Sequence, residues 1–456
     1  MTTHEVDVAV VGAGTSGCYA AATLAREGLD VVIVERKDAE EAGHIACGDA
    51  LKGANNFPEV IPKSHIEPAF TNTEVDHGRF EIPTEGVELD IPVPGELAVI
   101  DRWEYGRLLI EGAEDAGVEF HYDTVVKDVV QEDGVVTGLK AVHQGDPVTY
   151  ESDVVIDGAG ALSLLQDKAD LSAATFDENV RFSQFSSAYR EVLTVEEPVD
   201  WSDALVFKPT QRSAGYLWYF PRTPTEINVG LGFQMNEEPM RLVDDLKKDL
   251  RKRPEFKNAT VKDKLGAALP TRRPYDSATA PGYIAVGDAA AHVNPTTGGG
   301  IAGAAYAGKY AGEQVLEAYA DDTLDDEHAL WDYNERVMEH FGGRYAALDV
   351  YNIFATAYDL DDLMGMLAAM PMAKLSEALY SGSANIGPLL KLRTAIKSFG
   401  HWDTIYDLYQ TKNLADRLLE VYEDYPSDPD AFANWQTRRD ALMDEIYATT
   451  GAEAKY

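Results

Sequence analysis

The stretch VDVAVVGAGTSGCYAAATLAREG, Val6 to Gly28, admits very few folds. An apolar strand runs straight into Gly12-x-Gly14-x-x-Gly17, and the residues that follow read as a helix. The next strand, LDVVIVER, closes on Glu35 and Arg36. In a strand–turn–helix unit each glycine has a mechanical task. Gly12 makes the tight turn, Gly14 lets backbone approach a pyrophosphate, and Gly17 lets helix and strand pack closely. The helix start then faces the phosphates, and Glu35 is placed to accept hydrogen bonds from a ribose. An acid at that position argues against a 2′-phosphate, so the dinucleotide is FAD or NAD rather than NADP.

A second glycine-rich stretch, VGDAAAHVNPTTGGGIAGA, spans Val286 to Ala304 and leads into the helical run AGAAYAGKYAGEQVLEAY. Gly298, Gly299 and Gly300 are either a loose surface loop or bare backbone against which something large and flat must lie. Three neighbouring features bear on the choice. After Asp101 comes RWEYGRLLIEGAEDAGVEF, a helix feeding a strand. Arg102 at its start pairs with phosphate or adenine, or is an ordinary helix-start arginine. VTYESDVVIDGAGALS is a strand ending in Asp157-Gly158-Ala159-Gly160, and GYIAV is a strand ending in Gly287-Asp288. No second GxGxxG follows a strand with an acid in the right place, so a nicotinamide has no dedicated domain. Electrons are expected from a transiently bound NAD(P)H or from a small electron carrier such as a ferredoxin.

At 456 residues, with 45% hydrophobic, the chain can bury a substantial core in two or three domains. It has no apolar run of transmembrane length, and MTTHEVDVAVV goes directly into a strand pattern, so a soluble cytoplasmic protein is expected. The two cysteines, Cys18 and Cys47, argue against a disulfide framework. A net charge of −39 repels nucleic acid and anionic bilayers alike. Because the acids are spread along the chain (EDG, DLDD, DDTLDDEH, SDPDAF), work in molar salt explains them better than an acidic tail does. No metal site is expected.

Together the Gly12 fingerprint, the Asp157 strand and the Gly287-Asp288 strand resemble the flavoprotein family of p-hydroxybenzoate hydroxylase type. That resemblance implies FAD, with Asp288 on the ribityl chain and the Gly-rich helix start aimed at the isoalloxazine. Backbone N–H groups of Gly299, Gly300 and Ile301 would then stabilise negative charge at the pyrimidine end. His292 and Asn294 shape the loop. The resemblance also places Ser16, Arg36 and Val126 among the cofactor-binding residues.

Two local features narrow the family. HIACGDAL carries Cys47-Gly48-Asp49 shortly after the Glu35 strand. In GYLWYFPRTPTEINVGLG, Tyr216, Trp218 and Phe220 alternate on one face, Pro221 is expected to stop the strand, and a hairpin returns through INVGLGF. This pair is similar to the geranylgeranyl reductase family, in particular its archaeal branch acting on digeranylgeranylglycerophospholipids, over residues 1 to about 310. The resemblance implies saturation of isolated C=C bonds of isoprenoid chains by hydride from reduced FAD, a polyprenyl lipid substrate and transient contact with a membrane surface. It puts Cys47 and Gly48 near the flavin ring and makes the Tyr216/Trp218 strand a wall of the substrate cavity. Without it, a lone cysteine reads as a buried hydrophobe and the aromatic alternation as core packing. An aromatic hydroxylase or a halogenase is the alternative chemistry for the same scaffold; halogenases of this fold carry Trp-x-Trp-x-Ile-Pro where this chain has Tyr216-Leu217-Trp218-Tyr219-Phe220-Pro221.

Alkene reduction also needs a proton, for which Tyr216, His44, Asp49, Cys47 and a held water all remain open. The expected architecture is α/β. A Rossmann-like FAD-binding domain with a mostly parallel sheet is formed by residues 1–70, 96–172 and 270–315. An antiparallel-sheet substrate domain takes residues 71–95 and 173–269, and residues 316–456 form a helical C-terminal region. Within the latter, Met364, Met366, Met370 and Met372 are core filler or a deformable lining for a polyprenyl chain.

Overall fold

The run Val8–Val11 is buried along its whole length, as befits a strand covered on both faces. In the computed structural model, which describes residues 2–456 apart from 55, 84–85, 94, 164, 172–180, 211–214, 236–237, 239, 359–362 and 364–401, this run ends the strand Thr2–Val11. It pairs in parallel with Val31–Val34 on one side and with Asp146–Asp157 on the other. Glu119–His121 extends the sheet in parallel beyond Val31–Val34, and Tyr283–Ala285 does so beyond Asp146–Asp157. An antiparallel arm, Thr124–Glu132 with Val135–His143, folds back onto Asp146–Asp157. The helices Thr15–Arg26 and Ile301–Ala320 pack against each other.

A second, seven-stranded sheet has the order Thr260–Pro270, Phe185–Thr194, Glu226–Gln234, Gly215–Thr223, Ala204–Pro209, His77–Ile82, Val87–Pro92. It is antiparallel except where Ala204–Pro209 meets His77–Ile82. Along Gly215–Thr223 successive side chains point to opposite faces. Leu217 and Tyr219 join a core closed by Leu242, Leu246 and Leu250 of the helix Met240–Leu250, whereas Tyr216, Trp218 and Phe220 face the other way. The strand continues through Pro221 to Thr223, so the expectation that the proline ends it is corrected. By then the Ala204–Pro209 neighbour has already dropped away, since its pairing runs only from Tyr216 to Tyr219. A residue without an N–H is tolerated where the strand has become an edge.

A small sheet, Ala50–Lys52, Leu97–Ile100 and Phe70–Asn72, lies between the two larger ones in sequence. Beyond residue 320 the described chain is helical. Gly343–Thr356 packs on Trp402–Glu423, which packs on Phe432–Thr450, around Trp331, Phe432 and Trp435. The four methionines of the DLMGMLAAMPMAK stretch lie outside the described residues.

Candidate active site

Gly12 has φ +93°, the left-handed region that glycine enters freely. Gly17 is the tightest point of the turn: a Cβ there would lie 2.1 Å from the Gly12 carbonyl oxygen, whereas a Cβ on Gly14 would meet nothing within 4 Å. The turn therefore packs through Gly17 and opens through Gly14. Glu35 is fixed by two backbone donors, the Ala13 N–H at 2.9 Å and the Lys37 N–H at 2.9 Å. Arg102, 4% exposed, donates to Thr15 Oγ1 at 3.4 Å, while its Nη1 is buried with no partner. An unmatched guanidinium N–H beside an open glycine turn fits a pyrophosphate, the group FAD would bring there. Asp101 holds that arginine in place by capping its helix, accepting from the Trp103 and Glu104 N–H groups.

On the wall of the same cavity, Asn294 organises the second glycine-rich turn. Its carboxamide oxygen accepts from the Thr296 and Thr297 N–H groups, and its backbone N–H donates to the Gly299 carbonyl at 3.0 Å. Gly298 takes φ +69°, and the Gly299 N–H donates to Thr297 Oγ1 at 3.3 Å. The second sheet reaches this turn directly, because the Tyr216 hydroxyl donates to the Thr297 carbonyl at 2.8 Å. Burial raises the Asp288 carboxyl to about 6, with the Arg102 charge opposing. His292 is buried with Nδ1 unpartnered, and burial holds it neutral, down to about 3.

The Cys47–Asp49 loop lines the same cavity. Asp49 sits at φ +71° and is fully buried. Its Oδ2 accepts from Arg222 Nε at 2.7 Å and Asn228 Nδ2 at 2.6 Å. Asn228 Nδ2 also donates to the Cys47 carbonyl at 2.9 Å, and Asn228 Oδ1 accepts from the Trp218 indole at 2.9 Å. One carboxamide thus fixes the loop and the aromatic strand together. Gly48 lies against the Trp218 and Phe220 rings, where a Cβ would come within 3.2 Å of Phe220. Burial and the Asp49 charge raise the Cys47 thiol, so it holds its proton at neutral pH. His44 stacks on Trp103 and bonds Glu41 at 3.0 Å and Asp263 at 2.8 Å; Asp263 in turn pairs with the buried Arg190.

All of this opens onto one cavity of about 1930 Å³. Of the residues singled out in the sequence, Gly12, Gly14, Ser16, Glu35, Arg36 and Val126 line it. Cys47, Gly48, Arg102, Asp288, Gly299, Gly300 and Ile301 line it too, as do Tyr216 and Trp218 with the neighbouring rings Phe80 and Phe207. Gly17, Asp157, Gly287 and His292 are not among the lining residues. Asn228 and Arg222 went unnoticed in the sequence; a polar residue inside the apolar run INVGLGF, and an arginine directly after a strand proline, were the available signals.

The model of the FAD binding domain family matches residues 5–328. A digeranylgeranylglycerophospholipid reductase of Methanothrix thermoacetophila is 30% identical over 387 residues, covering 83% of this chain and 95% of the relative. The chain belongs to the digeranylgeranylglycerophospholipid reductase family. A second such reductase, from Sulfolobus acidocaldarius, is 28% identical over 97% of this chain and 98% of its own length. Among solved structures, a geranylgeranyl bacteriochlorophyll reductase-like protein of Thermoplasma acidophilum shares the fold, with TM-score 0.71 and 24% identity over 90% of this chain and all of that one. As a member of the reductase family, this chain is an FAD-dependent oxidoreductase. Among the described residues no helix is long and apolar enough to cross a membrane, and no cluster of His, Cys, Asp or Glu side chains suits a metal ion.

Proposed function

We propose that this reductase saturates isolated C=C bonds in the geranylgeranyl chains of archaeal-type ether lipid precursors. The observation that carries the reading is the continuity of the cavity: its 1930 Å³ joins a dinucleotide cradle to an aromatic-walled chamber, well beyond the roughly 300–1,000 Å³ of an ordinary ligand pocket. FAD, when bound, supplies the hydride. Arg102 and the Gly12–Ser16 turn would hold its pyrophosphate, Glu35 its ribose and Asp288 its ribityl chain, and Gly299, Gly300 and Ile301 would hold its ring. Phe80, Phe207, Tyr216, Trp218 and Phe220 exclude water and press the isoprenoid unit into position. Cys47 Sγ holds a proton at the chamber wall, while the Tyr216 hydroxyl proton is committed to the Thr297 carbonyl. Electrons come from an external donor, a small electron carrier or NAD(P)H, and the protein meets its substrate in transient contact with the membrane surface.

The test is anaerobic incubation of chemically reduced holoenzyme with unsaturated archaeal lipid extract, followed by mass spectrometry. Stepwise gains of two hydrogens are expected. Rapid NAD(P)H oxidation coupled to oxygen, with no lipid mass gain, would move the protein to the hydroxylase class.

A further inference from the structure

Gly230 occupies the middle of the strand Glu226–Gln234, and its backbone is not among those in the left-handed region. Nothing in its conformation therefore calls for glycine. The demand comes from a neighbouring side chain. A Cβ at this position would lie 2.1 Å from Trp218 Cζ2, 2.4 Å from Cε2 and 2.7 Å from Cη2, and these atoms of one indole are its nearest neighbours. The register explains the contact. Tyr216 stands opposite Gly232, Trp218 opposite Gly230 and Phe220 opposite Asn228, so the large rings of one strand and the small residues of the next share one face of the sheet.

The indole lies over the bare backbone of Gly230, and its N–H reaches Asn228 Oδ1 at 2.9 Å. From the Cys47 loop Gly48 closes on the ring, where a Cβ would come within 3.4 Å of Nε1. Trp218 is thus held from beneath, at its edge and by its N–H. It lines the cavity whereas Gly230 does not, so the ring lies between that glycine and the cavity. Carbon atoms in contact rest about 3.5–4.0 Å apart, so a methyl at position 230 would lift the indole by more than about 1 Å. With the sheet beneath it, the ring can rise only into the cavity.

The rings around Trp218 make an uneven floor. Phe207 stands at 60° to Tyr216 and at 67° to Phe220, and Trp218 is inclined at 61° to Tyr216. Edges and faces that alternate in this way leave hollows between the rings, which suit a chain with methyl branches better than a smooth one. We infer that Gly230 is a positioning residue: it sets the height of Trp218 and, through that ring, the preference of the cavity for methyl-branched over unbranched chains. The inference rests on the prenyl-lipid reading of the cavity.

The test compares phytanol with hexadecanol, the unbranched alcohol of the same backbone length, by titration calorimetry of the oxidised holoenzyme in one detergent. The parent should prefer phytanol. In Gly230→Ala that preference should fall about tenfold or more, since one misfitting methylene in an apolar pocket is worth about 10–200-fold. Hexadecanol affinity and bound flavin should hold. Trp218→Leu removes every atom that the new methyl would meet, so adding Gly230→Ala to it should leave both affinities where Trp218→Leu alone puts them. Equal losses for both alcohols, an unchanged preference, a fall in bound flavin, or the same loss in the Trp218→Leu background would overturn the assignment. Should Gly230→Ala fail to fold, the Trp218→Leu background decides: a double variant that folds supports the seat, and one that also fails overturns it. A parent that binds both alcohols equally, or neither, likewise overturns the inference. A parent that prefers phytanol but adds no hydrogen to unsaturated lipid overturns the functional reading and leaves the role of Gly230 standing.

Discussion

Arg222 Nε donates to Asp49 Oδ2 at 2.7 Å across 173 residues of sequence, and both side chains are withdrawn from solvent. Arg222 also reaches Asp101 at 3.0 Å and Glu226 at 3.3 Å, so it joins the Cys47 loop, the cap of the Arg102 helix and the aromatic hairpin. Arg222→Met leaves a buried carboxylate without its counter-charge, and breaking such a pair costs about 3–5 kcal/mol. Denaturant unfolding of the variant is expected to show that loss, and adding Asp49→Asn to recover most of it. An unchanged midpoint would reduce the pair to decoration.

Gly14 and Gly17 are neighbours in one motif with opposite expected behaviour. Gly17→Ala drives a methyl against the Gly12 carbonyl, 2.1 Å away, and overpacking of this kind costs about 1–3 kcal/mol. Gly14→Ala has open space and ordinary φ of −81°, so cofactor-free stability should stay within about 0.5 kcal/mol. Its bound flavin, read as visible absorbance per protein, should nonetheless collapse.

Both thiols are expected to be sluggish. Burial raises Cys18 to about 12 and pushes Cys47 up as well, and only the thiolate is a nucleophile. Native protein at pH 7.5 should react with a disulfide reagent at least about tenfold more slowly than free cysteine, with both thiols appearing on denaturation. Cys47→Ala should fold, take up flavin and lose turnover; wild-type turnover would demote the thiol to packing.

Asp288, raised to about 6 by burial, gives cofactor binding a definite pH dependence. A carboxyl whose pKa is raised becomes an anionic acceptor only as pH climbs through that value. Flavin affinity should therefore increase by up to about tenfold per unit below pH 6 and level off above it. Asp288→Asn should bind more weakly with a flat profile, measured by fluorescence titration between pH 5 and 8.

The −39 charge predicts a protein stabilised by molar salt. The melting temperature should climb steeply with KCl up to the molar range; full stability and activity without salt would exclude adaptation to brine.

The unit that carries Gly12, Gly14, Gly17 and Glu35 was legible because its logic is local, one strand, one turn and one helix leading to the next strand. The alternation of Tyr216, Trp218 and Phe220 was legible for the same reason, as a period of two within one strand. Asn228 was not, because its partners are a loop about 180 residues earlier and an indole on the adjacent strand. Arg222 escaped likewise. Pro221 misled because a proline ends a strand only where a neighbour needs its N–H, and whether a neighbour is present is decided by tertiary pairing.

The strand Thr2–Val11 pairs with Asp146–Asp157, which must itself wait for Tyr283–Ala285. On the ribosome, the first fingerprint therefore emerges long before Asp288 and the Gly298–Gly300 turn exist. A nascent chain would offer only part of the cofactor cradle proposed above. Loading is thus a late event in biogenesis, and slow closure of these distant parallel pairings leaves an apolar chamber exposed in the meantime. Expression hosts short of flavin or of chaperones should accumulate the polypeptide as aggregate rather than as colourless native protein.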